Sequence, residues 1–279
     1  MARVELSELL EAGSHFGHIT RRWNPKMKPF IFTQKNGIHI LDLRKTQDLI
    51  DVACDEITQL TSQGKRVLFV GTKKQAKKIF QTEAMRCNEH YVTHRWLGGL
   101  LTNFVTIRKS VKRYSNIVKM ETDGTFDKIT KKEKLQLMRE KLKLDNTLSG
   151  VVDMTKLPGA LFIVDIKKEA IAVREARRLG IPVFAFVDTN TDPTEIDFPI
   201  PANDDATKSI QLIAETISDA VIEGKEVASA NAIKNAAETV NEEDEKESRE
   251  KREAKDSTDD MQKPKRKRVA ERGKTSNKR

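Results

Sequence analysis

The sequence predicts an α/β domain on a doubly wound, mainly parallel five-stranded sheet. Three observations carry this. RVLFVG (Arg66–Gly71), ALFIVD (Ala160–Asp165) and PVFAFVD (Pro182–Asp188) are continuous apolar runs closed by Gly or Asp, the pattern of strands buried on both faces. Amphipathic helical segments alternate with them, which implies parallel pairing. One insertion breaks the rhythm: two helical stretches, Thr102–Glu121 and Thr130–Leu148, are joined only by a short connector.

Taken in order, Val4–Ala12 reads as a short helix stopped by Gly13. SHFGHITRRWNPKMKPF follows, polar, basic and twice interrupted by proline, and reads as a long surface loop. Asn36-Gly37 between apolar alternations predicts a hairpin. Thr46–Thr61 carries a helix-spaced stripe of Leu49, Ile50, Ala53, Ile57 and Leu60. After the first buried strand, Lys73–Arg86 reads as a helix and His90–His94 as a weaker strand. Lys167–Leu179 is a helix with Gly180 as its stop, Asp197–Pro201 a short last strand, and Ala206–Glu223 an amphipathic closing helix. The inserted stretches predict an antiparallel coiled-coil hairpin that protrudes from the core.

The chain therefore divides into residues 1–101, a basic loop, a hairpin and the first half of the α/β domain; 102–149, the helical hairpin; 150–225, the second half; and 226–279, a charged tail. From Glu238 to Arg279 there are 14 Lys/Arg and 12 Asp/Glu with almost no large apolar residue, so disorder is expected. KPKRKR at 263–268 suits RNA, a nuclear signal or simple solvation equally.

Of the 279 residues 33% are charged, against ~25% in typical domains, and the net charge is +9. The excess is concentrated. Lys73–Arg113 holds ten Lys/Arg against Glu83 and Glu89; His15–Lys45 holds seven against Asp42. Concentrated positive charge points to an anionic polymer. Cys54 and Cys87 match no metal spacing and read as two core thiols in a reducing compartment. No run of ~18 apolar residues suggests a membrane span, and the first residues lack a signal peptide's apolar core.

Ligands of doubly wound sheets bind at the strand carboxyl ends. Those ends carry Gly71-Thr72-Lys73-Lys74, Asp165 and Asp188–Asp192. VGTKKQAKK has one glycine where a phosphate loop needs more, though Lys73 and Lys74 beside a helix start could attract one phosphate. Asp188–Asp192 and Asp204/Asp205 read as loop and helix caps rather than a magnesium site. His15-x-x-His18 resembles half a metal site without supporting ligands, so no metal and no cofactor is expected. No nucleophile–base order stands out.

What remains is basic residues beside flat side chains. Arg21, Arg22, Trp23, Lys26 and Lys28 share one loop. Arg95 and Trp96 share another, followed by Arg108, Lys109, Lys112 and Arg113 at i, i+4 on the arm, with no acidic neighbour in sequence. Cations neutralise phosphates, and Trp or Arg planes can stack on unpaired bases. Each Trp either stacks or anchors the core, and the anchor is favoured. In RWLGGLLTN the paired glycines Gly98 and Gly99 aim the arm, Leu100 and Leu101 pin its root, and Thr102 or Asn103 caps it. Arg95 is the RNA contact there and Trp96 the anchor.

Together, AGSHFGHITRRWNPKMKPFIF, NGIHILDLRKT, FVGTKKQA, HRWLGGLLTNFVTIRKS, DGTFDKITKKE, LPGALFIVDIKKE, EARRLGIPVFAFVDTNTDP and IPANDDATKSI resemble the family of bacterial small-subunit ribosomal protein number two, over residues 1–225. The resemblance implies a flavodoxin-like fold without enzymatic activity. It further implies binding to 16S ribosomal RNA and to neighbouring small-subunit proteins, including the mRNA-capturing ribosomal protein number one, on cytoplasmic ribosomes. Two rivals stand beside it. A nucleotide- or phosphate-binding enzyme would use the strand carboxyl ends but lacks their glycines. A laminin-receptor-like interaction protein is disfavoured by RWLGGLLTN and the arm.

Overall fold

The computed structural model describes residues 3–127 and 129–231. It divides into two compact units, Met1–Ala228 and Ser229–Arg279. The two sheets and the helices around them belong to the first. Of the second, residues 229–231 are helical; the rest of the tail expected to be disordered lies outside the described residues.

Helix α1 (Leu6–Glu11) is closed by Gly13 at φ +74°. The stretch expected to be a loop lies largely at the surface but carries regular structure. It forms strand β1 (Phe16–Ile19) and two 3-10 turns, and Met27 is fully buried. Gly17 and two histidines hide the alternation that would have announced the strand. Gly17 has a packing reason: a Cβ there would lie 2.6 Å from the Thr189 side chain and 3.1 Å from the His39 carbonyl. β2 (Ile31–Lys35) and β3 (Ile38–Leu41) form the expected hairpin, with Asn36 and Gly37 both at positive φ (51° and 74°). Such a turn matches the strands' twist. The ribbon is three-stranded, in order β1-β3-β2.

Helix α2 (Leu43–Ser62) leads to β4 (Val67–Val70), α3 (Lys77–Arg86) and β5 (His90–Val92). Then come α4 (Phe104–Thr122) and α5 (Lys131–Leu148), followed by β6 (Ala160–Ile163), α6 (Ala170–Leu179), β7 (Val183–Val187) and β8 (Phe198–Pro201). The closing helix α7 begins at 207 and continues past the expected end at 223. The main sheet has the order β5-β4-β6-β7-β8, every neighbouring pair parallel. Counted within that sheet the order is 2-1-3-4-5, the flavodoxin-like arrangement.

Alternate residues of each strand enter opposite cores, which is why the strands read as unbroken apolar runs. Phe69, Phe162, Phe184 and Phe186 face one side with α2, α3 and α7; Leu68, Val70, Leu161, Ile163 and Ala185 face the other with α6 and the root of α4. On the first side Phe162 meets Phe69, Phe80 and Phe186 at centroid distances of 5.5, 5.0 and 5.8 Å. On the second, Trp96, Leu100, Leu101, Leu148 and Val151 bring both ends of the insertion onto the sheet.

Helices α4 and α5 are linked by Arg113–Glu140, Lys141–Glu121 and a 2.6 Å hydrogen bond from the Tyr114 hydroxyl to Asp145. α5 starts with a capping box between Thr130 and Glu133. Where the chain returns, Gly150 lies against β5. A Cβ there would stand 2.1 Å from the Tyr91 carbonyl oxygen. Gly150→Ala should therefore cost about 1–3 kcal/mol by overpacking, read as a lower urea midpoint at unchanged m-value. A variant as stable as the parent would contradict the close approach.

Candidate nucleic-acid interface

The arm root is organised by a residue the sequence did not single out. Glu175, buried on α6, accepts five hydrogen bonds from the Trp96–Thr102 segment. Its Oε1 takes the Trp96 indole N–H (3.1 Å) and the Gly99 N–H (2.7 Å). Its Oε2 takes the Leu101 and Thr102 N–H groups (3.0 and 3.1 Å) and the Thr102 hydroxyl (3.1 Å). Burial pushes its pKa up, but the N–H donors of Thr102, Gly99, Trp96 and Leu101 outweigh that and hold it below the usual glutamate range. The signal was a glutamate three residues after Ala172 and one before Ala176, both on the buried face of α6.

This arrangement explains the second glycine of the pair. Gly99 sits at φ +85°, which places its N–H on Glu175 and leaves only glycine unstrained. Gly98 faces open space. Trp96 is the anchor, buried and hydrogen-bonded. Asn103 occupies the N-cap of α4 without a side-chain bond, and Thr102 turns to Glu175 instead, so neither caps the arm as expected.

The four cations expected on the first turns of α4 divide into two groups. The Arg108 guanidinium donates to the carbonyls of Val152 and Met154 (3.0 and 2.9 Å), tying the outgoing helix to the returning chain. Arg113 makes two bonds to Glu140 (3.0 and 3.1 Å). That acid sits on the other helix, which corrects the expectation that none was near. Lys109 and Lys112 are exposed, and among the described residues no carboxylate pairs with either. Arg95 is exposed beside the buried Trp96, and Lys74 is exposed after β4.

In the N-terminal loop Arg21, Arg22 and Lys28 are exposed. Lys26 bonds Asp192 (2.6 Å) and the Thr194 hydroxyl (3.1 Å), and Lys26 is the first cause holding the Asp192 pKa below its usual range. Trp23 is 37% exposed, with its ring 5.2 Å from His39.

Lys73 lies elsewhere in character. It sits at the topological switch point between β4 and β6. Its ammonium is 2.8 Å from Asp204, 2.8 Å from Asp205 and 3.5 Å from Asp165, and the side chain is 15% exposed. Asp204 thus turns to Lys73, while Asn203 caps the start of α7 by accepting from the Asp205 and Ala206 N–H groups. Asp192 does cap its turn, accepting from the Thr194 N–H. His18 joins the same cluster, 2.8 Å from Asp188 and 3.5 Å from Asp205, and Asp188 holds its pKa above the usual value despite burial. His15 does not join it; its ring lies 3.9 Å from Phe16. His18, Asp188 and Asp204 each offer one donor atom within 4.8 Å of the others. One imidazole and two carboxylates suit a borderline divalent cation such as zinc. Gly71, the only glycine at this strand end, serves packing: a Cβ would meet the Phe80 ring at 3.1 Å. No phosphate-wrapping loop forms from it.

Among the described residues no helix is long and apolar enough to cross a membrane. Cys54 and Cys87 are free and buried, and burial pushes their thiols up to about 12 and about 11.

A family model described as "Ribosomal protein S2" matches residues 9–224. Small ribosomal subunit protein uS2 of Chloroherpeton thalassium is 56% identical over 88% of this chain and 100% of its own. That of Chlorobium phaeobacteroides is 58% identical over 81% and 90%, and that of Bacteroides thetaiotaomicron 54% over 84% of each chain. The sheet order, the inserted helices and these matches over most of the length agree: the chain belongs to the ribosomal protein S2 family.

Proposed function

We propose that the chain is a structural, RNA-binding constituent of the small subunit of cytoplasmic ribosomes, without catalytic activity or a small-molecule substrate. It binds 16S ribosomal RNA through Arg21, Arg22, Lys28, Lys74, Arg95, Lys109 and Lys112. Lys26, Lys73, Arg108 and Arg113 act chiefly inside the fold, positioning those cations. Trp23 is the side chain available for stacking. The coiled α4–α5 arm protrudes to reach RNA, and the α/β body presents faces to neighbouring proteins and supports docking of ribosomal protein number one. The observation that carries the reading is the pair Lys109 and Lys112. Both are exposed on the first turns of α4, where their neighbours Arg108 and Arg113 are internally bonded, and neither has an acidic partner among the described residues. Phosphates supply such a partner and fix orientation without reading sequence.

Changing Lys109 and Lys112 to Gln should weaken binding to small-subunit ribosomal RNA and flatten its salt dependence, by about 0.7–0.9 in log–log slope per lost phosphate contact. Stability should move by no more than about 0.5 kcal/mol. Unchanged slope together with unchanged incorporation into subunits would refute an RNA-facing arm.

A further inference from the structure

We propose that the exposed face of α6, with Lys167, Arg174, Arg177 and Arg178, is a second docking surface for RNA backbone. The inference rests on the RNA-binding reading above and extends it to residues outside the basic loops and the arm. All four side chains are exposed, and among the described residues none forms an ion pair with a carboxylate. The one contact of Arg174 is local, from its Nε to the Ala170 carbonyl at 3.1 Å. The helix's acid, Glu175, points inward and is filled by its five donors from the arm root.

The helix dipole accounts for only part of this charge. Arg177 and Arg178 lie in the last turn, where cations are favoured. Lys167 stands in the turn before the helix, where the dipole repels a cation, and Arg174 lies mid-helix. Arg174 also faces Arg177 and Arg178 at i+3 and i+4, spacings at which like charges repel. An external anion relieves that repulsion.

The neighbouring guanidinium groups favour phosphates over an acidic protein. Thr102, Ile171, Arg174, Glu175 and Arg178 line a shallow groove of about 280 Å³ between α6 and the arm root. Its exposed surface is mainly carbon, from Ile171 and the side-chain stems around it, and Arg174 and Arg178 supply its cations. Guanidinium groups bind phosphate oxygens in pairs, and the groove continues from the arm root, so one RNA segment can engage both.

The test compares the full-length chain with a Lys167→Gln/Arg174→Gln/Arg178→Gln variant, titrated with small-subunit ribosomal RNA across a salt series. Arg177 is kept to satisfy the helix end. The variant should melt at the parent's temperature and bind more weakly, with a log–log salt slope shallower by about 2, as three lost contacts require. Arg174→Lys/Arg178→Lys should retain most of the slope. Parental affinity and slope in the triple variant would overturn the proposal while leaving the arm's role intact. Normal RNA binding with lost subunit incorporation would also overturn it, by assigning the face to a protein. Absence of RNA binding by the parent chain would remove the functional reading itself.

Discussion

Replacing Glu175 by Ala should destabilise the domain by about 3–5 kcal/mol, the range for removing one side of a buried, charged hydrogen-bond set. The loss has two parts. Five donors lose their acceptor, and the buried Trp96 indole and Leu101 N–H are left without water to replace it. The arm root should also loosen, because the same carboxylate holds Gly99 in its left-handed turn. Chemical denaturation measures the first effect; hydrogen exchange of the Leu101 and Thr102 amides measures the second. Since the folded pKa of Glu175 is depressed, its contribution is present above the ordinary value near 4.5 and disappears as pH falls through the lower folded value. The gap between parent and variant should therefore close in acid. An equal gap at pH 7 and in strong acid would sink the assignment of an ionised carboxylate.

Lys73→Met should be about as damaging, again on the order of 3–5 kcal/mol at neutral pH. It removes the cation shared by Asp165, Asp204 and Asp205 while keeping an unbranched side chain one atom shorter. Burial works against the lysine's charge, yet Asp204 and Asp205 hold its pKa above the usual range. A raised lysine contributes fully below 10.5 and loses its contribution only as pH rises through the folded value, so at neutrality the whole effect is present. Burial and the neighbouring Asp188 already push the Asp204 pKa up against Lys73. The variant should consequently regain stability as pH falls and Asp204 takes a proton. A loss confined to RNA affinity, with stability intact, would instead make Lys73 a contact residue.

The fold was legible wherever a pattern is local. Phe69, Phe162 and Phe186 stand in runs that only a doubly covered strand explains, and Asn36-Gly37 and Gly180 mark their turns by conformation alone. β1 was not legible because Gly17 and His18 occupy it for reasons set by distant residues, Thr189 and Asp188. The candidate site was half legible for the same reason. Charge density found the arm and the basic loop. It could not show that Glu140, 27 residues along the chain, meets Arg113, or that three aspartates at 165, 204 and 205 converge on Lys73. Nor did it separate α6's outward arginines from its inward glutamate, since sequence spacing ranks both as charged.

The position of the insertion bears on how fast the domain can form. Residues 93–159 separate β5 from β6, and β6 must pair with β4 across that whole stretch. Parallel pairing over such a distance is slow, because loop closure precedes any reward from contact. The backbone hydrogen bonds of α4 and α5 are local, so these helices can form early. Once paired, they leave roughly a third of the stretch flexible and lower the closure entropy by about 1 kcal/mol. An arm that pairs early would thus bring the two halves of the sheet closer before β6 joins β4.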